Sequence, residues 1–495
     1  MFMKTPVVFG IIGFASLAIG LAQLHAGNDQ KVRKNRSNAG VQQSAKLNSN
    51  DTGGGIAGDS VGPDVAVCVL PSVKHWGTLN GYTAYSIATS SVNFGDTNLA
   101  WLDGSPNHPV IGQNLFRLKD GRFEQIGQSW LKHGFCALQQ ANNCDTCQAQ
   151  MGCLTFLKPG CRDPYSADLN GGQGGLGPKS EVNASTGVFP WPYSTDGVTG
   201  NVLYKRIQVL NTDLDPALNP GALYFIEGQY VAADDAAFGN HFNNASYRRV
   251  TVGPAPTFAL TVTGDTQVTI PALVAWQAND PEVTVNEHIV VNDGKFMIGH
   301  KVTDNGDGTW HYEYALYNMN SHRSARSFAV PLPAGVNVSN VGFHDVDYHS
   351  GDGESIGIDY DGTDWAVSTD NGFVRWETDT FAANPNANAL RWGTVYNFRF
   401  DADVPPSTPV DSVVELFREP EEGGDPTAFS LAISAPSTPE LCVADLDSDG
   451  AVGPADLANL LAAWGTDPGD APDFDASGNV GAEDLATLLA AWGDC

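Results

Sequence analysis

Apolar residues recur along this chain with two different spacings, and the change falls near residue 440. Between residues 63 and 434 they come in short runs rich in Val, Ile, Tyr and Phe, separated by Gly, Asn, Asp and Pro. That is the punctuation of antiparallel sheet, in which side chains point to opposite faces at every second residue. Asn114-Leu-Phe-Arg-Leu118 and Phe123-Glu-Gln-Ile126 predict a hairpin through Asp120-Gly121, which supplies the positive φ angles of a tight turn. Residues 202–211 and 222–231 predict a second pair, followed by a short helix over 232–238. Phe296-Met-Ile-Gly-His-Lys-Val302 and Trp310-His-Tyr-Glu-Tyr-Ala-Leu-Tyr317 predict a long hairpin around Asp304-Asn-Gly306-Asp-Gly308. Further strands are expected at 328–330, 342–348, 365–367, 373–377, 395–400 and 429–433. Short strands without long helices predict a mainly β fold: a β-rich domain over 63–253 and a β-sandwich over 257–434, divided at Thr251-Val-Gly-Pro-Ala-Pro256.

After a Pro-rich linker at 435–440 the period becomes helical. Leu457, Leu460, Leu461 and Trp464, and again Leu485, Leu488, Leu489 and Trp492, fall at i, i+3, i+4 and i+7. Each short helix thus has one apolar stripe, and the two stripes are expected to bury against each other. An acidic loop precedes each helix, Asp445-Leu-Asp447-Ser-Asp449-Gly450 and Asp473-Phe-Asp475-Ala-Ser477-Gly478, repeating at an offset of 28 residues from Asp445 to Asp473.

A hard dication takes six to eight oxygens, and carboxylates at loop positions one, three and five converge when a glycine at six turns the backbone sharply. The expected Ca2+ ligands are Asp445, Asp447, Asp449, the Ala451 carbonyl and Asp456 in the first loop. In the second they are Asp473, Asp475, Ser477, the Asn479 carbonyl and Asp484. Ser477 replaces a carboxylate, so the second loop is expected to bind more weakly. The chain has no Lys or Arg after residue 440. Without a cation the carboxylates repel one another, and folding of this segment is expected to depend on the metal.

Duplicated calcium loops with Asp at position twelve, one helix after each, and a near-twofold relation between halves resemble the type I dockerin over 441–495. The resemblance implies a small α-helical, EF-hand-like module that docks onto a cohesin-like partner, commonly to assemble extracellular polysaccharide-degrading enzymes. Positions ten and eleven, where dockerins commonly carry partner-reading hydroxyls, are here Pro454-Ala455 and Ala482-Glu483.

Composition narrows the setting. With 56 acidic against 26 basic residues and a formal charge of -30, the chain lacks the basic footprint of a nucleic-acid partner. Lys4, an apolar run over 7–22 and Leu24-His25-Ala26 predict a signal peptide over 1–26, a disordered leader over 27–62, and a secreted protein. No later stretch is apolar enough to span a bilayer. In an oxidising compartment the eight cysteines predict disulfides. Cys442 and Cys495 would clasp the tail; Cys144-x-x-Cys147 has zinc as its alternative.

The body offers weaker candidates. Glu124 and Glu227, if brought together, could cleave a glycoside; His133, Tyr230 and Arg117, if brought together, suit β-elimination of a uronate polysaccharide. Trp101, Trp191 and Trp310 are candidate glycan-stacking residues. A strand through 344–349 would set Asp345, Asp347 and His349 on one face as metal ligands. No Gly-x-Ser-x-Gly elbow, phosphate loop or dinucleotide fingerprint occurs.

Overall fold

The structure is a computed structural model that describes residues 60–495 apart from 142, 196, 198, 356, 421–422, 438–442, 448, 470–471 and 495. The chain divides into two units, 1–50 and 51–495, and the first lies wholly outside the described residues. So do the expected signal peptide, nearly all of the leader, and Cys442 and Cys495.

The described chain is mainly β. Its central sheet has the order Leu176–Gly177, Leu131–His133, Val110–Lys119, Leu223–Val231, Ala245–Val252, Leu260–Gln267, with Arg122–Gln128 also paired to Val110–Lys119. The Asp120-Gly121 hairpin forms as expected, with φ of 50° and 77°. One face of this sheet carries Ile111, Leu115, Ile226 and Tyr230 into a core with Val65, Val67, Tyr85, Ile87, Ile207 and Val209 of two smaller three-stranded sheets. The other face carries Phe116, Phe123, Phe225 and Tyr247 into a second core with Met297, Ala315, Tyr317 and Val395.

Those last four belong to a five-stranded sheet in the order Thr284–Ile289, Lys295–Asp304, Trp310–Asn318, Thr394–Ala402, Val338–His344. Its opposite face meets a second five-stranded sheet, Ala366–Ser368, Phe373–Glu377, Ala325–Pro331, Pro406–Leu416, Ala428–Pro436, across a third core. In the strand Trp310–Asn318 the period of two is visible directly. Tyr312, Tyr314 and Leu316 enter the sandwich core, while Ala315 and Tyr317 enter the core shared with the central sheet. The sheets therefore stack in layers, and residues on both sides of 251–256 share one core. That stretch itself lies in the hairpin joining Ala245–Val252 to Leu260–Gln267.

One expectation is corrected, and the expected disulfides set aside the zinc alternative. Residues 202–211 do not pair with 222–231: the strand there, Ile207–Leu210, joins Tyr82–Ile87, because its apolar side chains complete the core beneath the central sheet. Cys144 and Cys147 do not form a zinc pair, since Cys68–Cys144, Cys136–Cys153 and Cys147–Cys161 are disulfides. They staple the 136–161 loop to itself and to the strand Val65–Val69.

Candidate metal centre

The tail folds as two helices, Pro454–Ala462 and Ala482–Ala490, each preceded by an acidic loop. Gly450 and Gly478, at position six, have φ of 92° and 82°, the left-handed conformation that lets each loop reverse. One ligand oxygen from each of Asp445, Asp447 and Asp449 lies within 4.8 Å of the others, and the same holds for Asp473, Asp475 and Asp484. These two triads could hold metal ions.

The hydrogen bonds that shape one loop recur in the other. Asp445 accepts from the backbone N–H of Asp449 and Gly450, and Asp473 from those of Ser477 and Gly478. Asp456 Oδ1 accepts from Leu446 N at 2.6 Å while its Oδ2 accepts from Gly453 N at 2.7 Å; Asp484 does the same with Phe474 N and Gly481 N, both at 2.7 Å. These N–H groups, those of Gly453 and Gly481 foremost, hold both carboxyls below the usual aspartate range. Position twelve thus clamps the start of its loop to the helix that follows, and only in the second loop does it also reach the convergent group. Asp447 is shifted upward, chiefly by desolvation and then by Asp449 and Asp456. The Ser477 hydroxyl donates to the Asn479 carbonyl at 3.2 Å, tying together two of the expected ligands.

The halves also interlock. Val452, at position eight of the first loop, pairs with Gly493 after the second helix, and Val480, the matching residue, exchanges backbone bonds with Gly465 and Thr466 after the first. Val452, Val480, Leu460 and Leu488 are buried in the small core that results. The expected mutual burial of both whole stripes is corrected: Leu461 and Trp464 remain 51% and 45% exposed, and Leu489 and Trp492 remain 51% and 46% exposed. Helices of nine residues cannot cover a stripe four residues wide on each other, so the Leu461/Trp464 pair and its copy stay on the outside.

In the body, sheet register separates the catalytic candidates. Glu124 lies opposite Arg117, which lies opposite Tyr224, whereas Glu227 lies opposite Asn114. Since Tyr224 and Glu227 are an odd number of residues apart on one strand, the two carboxylates point to opposite faces. Glu124 is bound by Arg117 at 2.6 Å and lies 3.6 Å from Arg122. Its environment is polar on balance, so despite burial its pKa is lowered, with Arg117 and Arg122 among the causes. Glu227 is fully buried and accepts from Asn114 (3.0 Å), Tyr317 (2.9 Å) and Ala272 N (2.7 Å), while burial raises its pKa. His133 pairs with Val110, on the face opposite to that of Ile111 and Tyr230, and burial takes its pKa down to about 2. It contacts His108 at 3.0 Å and stacks on Tyr193, while Tyr230 bonds Thr89 at 2.9 Å. Arg117 shares the face of Tyr230, but Tyr224 and not Tyr230 is its partner, six residues or about 20 Å along the strand. Neither catalytic set is brought together.

Trp101 is buried and bonds the Tyr165 hydroxyl, so it is not available for stacking; Trp310 is half-buried and Trp191 is exposed. Strand Val338–His344 ends before Asp345, which removes the common face expected for Asp345, Asp347 and His349. Asp345 is held by Asn388 at 2.5 Å, and His349 is buried against the carbonyls of Arg206 and Gln128. Lys179 and Asp352 are two buried ionisable groups that influence each other, and no local pattern marks Lys179. Lys179 Nζ donates to Gln128 at 2.9 Å. Burial lowers the lysine and raises the aspartate, and each draws the other back toward its charged form.

Comparison with protein-family models finds none that matches this chain, and comparison with curated proteins finds no match either.

Proposed function

We propose that this is a secreted calcium-binding protein whose 441–495 segment is an EF-hand-like, dockerin-like module, taking one Ca2+ in each loop and seating on a cohesin-like partner. The observation that carries this reading is an aspartate triad in each of two loops offset by 28 residues, with the same backbone clamp in both. Three converging carboxylates with no basic residue in the segment suit a hard dication held by oxygen. The twice-presented pair Leu461/Trp464 and Leu489/Trp492 is the apolar surface a docking partner would cover. The β body is what the tail tethers, and its part in this reading is to hold a glycan. A polysaccharide hydrolase or lyase is the alternative, and the separation of Glu124 from Glu227 and of His133 from Tyr230 favours the non-catalytic reading.

Calorimetry on the full chain should show calcium binding at two sites, with hydrogen exchange slowing across 443–494 and hardly changing in the sheets. Chelation should reverse this, and Asp445→Asn with Asp473→Asn should abolish it. Absence of both heat and protection would sink the metal reading. Docking has a separate readout: capture by a panel of cohesin modules should require calcium and fall with Leu461→Ser plus Leu489→Ser, and capture indifferent to both changes rules out this surface.

A further inference from the structure

A cleft of about 590 Å3 opens where the 183–186 loop approaches residues 291–293, 322–326, 380–382 and 416–420. Three arginines line it together with three carboxylates, Asp293, Glu419 and Asp425, in a chain where acidic residues outnumber basic ones about two to one. Two of the arginines are neutralised within the fold. Arg326 pairs with Glu415, with Glu377 at 3.7 Å, and Arg418 donates to Glu354 at 2.5 Å. Arg323 differs. It is 6% exposed and forms no ion pair among the described residues. Its Nε donates to the Arg418 carbonyl at 3.1 Å and its Nη1 to the Pro426 carbonyl at 2.8 Å, while Nη2 is buried without an acceptor.

A charged donor left unmatched in the interior is costly, and such groups ordinarily find a partner. The nearby Asp293 carboxylate is already engaged by the Ser321 hydroxyl and the backbone N–H groups of His322 (2.9 Å) and Arg323 (3.2 Å). Among the described residues no acceptor answers Nη2. The rest of the cleft indicates the kind of group that would. Ser185, Thr186 and Thr380 bring hydroxyls, and the Phe381 ring, with the Arg418 guanidinium 4.5 Å from its centre, offers a flat apolar surface. Glu419 and Asp425 also line the cleft and oppose a dense polyanion such as a phosphate chain, leaving room for an isolated negative group.

We propose that this cleft binds a carboxylate-bearing sugar, its carboxylate supplying the acceptor Arg323 lacks, its hydroxyls meeting Ser185 and Thr380, and its ring lying against Phe381. The site names a ligand class for the glycan-binding role given to the body and so rests on that part of the reading, but it is independent of calcium and of docking.

The test is titration of the full chain, in chelator, with trigalacturonate, its methyl ester and a neutral glucose trisaccharide. Trigalacturonate should bind, its ester about tenfold more weakly or worse, since a charge-assisted bond to arginine is lost. Ala382→Trp, at an exposed position on the cleft wall, should abolish binding with an unchanged melting temperature, and Arg323→Lys should weaken it about tenfold while lowering the melting temperature, since the bonds to the Arg418 and Pro426 carbonyls are lost. Ester and acid binding equally, or Ala382→Trp leaving affinity intact, would overturn the proposal. If only the neutral trisaccharide binds, the cleft proposal fails while a glycan-binding body stands. If none of the three binds at about 10 mM, both fail.

Discussion

The body and the tail treat charge in opposite ways. In the body, many ionisable groups go inside and are met there: Glu227 by three donors, Arg117 by Glu124 and Asp213, Arg326 by Glu415. In the tail the carboxylates at loop positions one and three stay near solvent while Asp456 and Asp484 are buried, and they accept N–H groups of their own loops, with no basic residue after 440 to answer them. The body can answer most of its charges because stacked sheets supply distant partners; Arg117 and Asp213 are far apart in sequence. A segment of some fifty residues with a core of a few Val and Leu side chains has no such reserve, and on the proposed reading its counter-charge arrives as an ion.

The largest effect that tests this contrast is on the body side. Lys179→Met leaves Asp352 buried beside an apolar chain, with its Oδ1 already lacking a partner. Removing the buried charge that draws Asp352 toward ionisation, together with the bonds of Lys179 to Gln128 and the Gly393 carbonyl, should lower unfolding stability by about 3 kcal/mol, measured by denaturant titration, and adding Asp352→Asn should restore part of the loss. Calcium should alter neither number. A Lys179→Met protein as stable as the parent would mean that the body, too, leaves its charges uncompensated.

What the sequence made legible divides along the same line. The tail's loops could be read because a metal site is written locally, in the spacing of Asp445, Asp447 and Asp449 and in Gly450. The Asp120-Gly121 hairpin, the long hairpin around Asp304–Gly308 and the helix Ala233–Phe238 were legible for the same reason, since turn chemistry lies within a few residues. The partner of Ile207–Leu210 and the burial of Trp101 were not. In a stack of sheets both faces of a strand are covered, so alternation no longer separates inside from outside, and the distance between faces is set by layers far away in sequence. Glu124 and Glu227 looked like a candidate pair only until register put them on opposite faces. Nor does any local pattern mark Arg323, whose oddity is an absent acceptor.

A smaller effect concerns Asp163, the body's least well answered carboxylate. It is buried, accepts from Leu138 N at 2.8 Å through Oδ1, and leaves Oδ2 without a partner. Burial raises its pKa from the ordinary aspartate range to about 8. The folded form therefore holds a proton that the unfolded chain has lost, and stability falls as pH rises through that window, levelling off above the folded value. Asp163→Asn keeps the Oδ1 acceptor and removes the ionisation. The variant should be more stable than the parent at pH 8 by on the order of 2 kcal/mol and nearly equal to it at pH 4, in chemical denaturation at the two pH values. Equal slopes against pH for both proteins would mean that Asp163 is answered by a partner as fully as Glu227 is.

The smallest effect sharpens the contrast within the tail itself. The two loops share their clamp and their glycine, but position five is Asp449 in one and Ser477 in the other, where the hydroxyl turns to the Asn479 carbonyl. If an external ion provides the counter-charge, the loop with more carboxylate should hold it more tightly, whereas a tail folded by its small core would be indifferent. Ser477→Asp should tighten the weaker of two calcium sites about tenfold, on the order of 1.4 kcal/mol, and should destabilise the calcium-free tail by adding one more unanswered charge. The opposite signs are what matter. A substitution that strengthens the tail in chelator, or leaves calcium affinity unmoved, would show that Ser477 serves the turn rather than the ion, and the second loop would lose its place as a metal site.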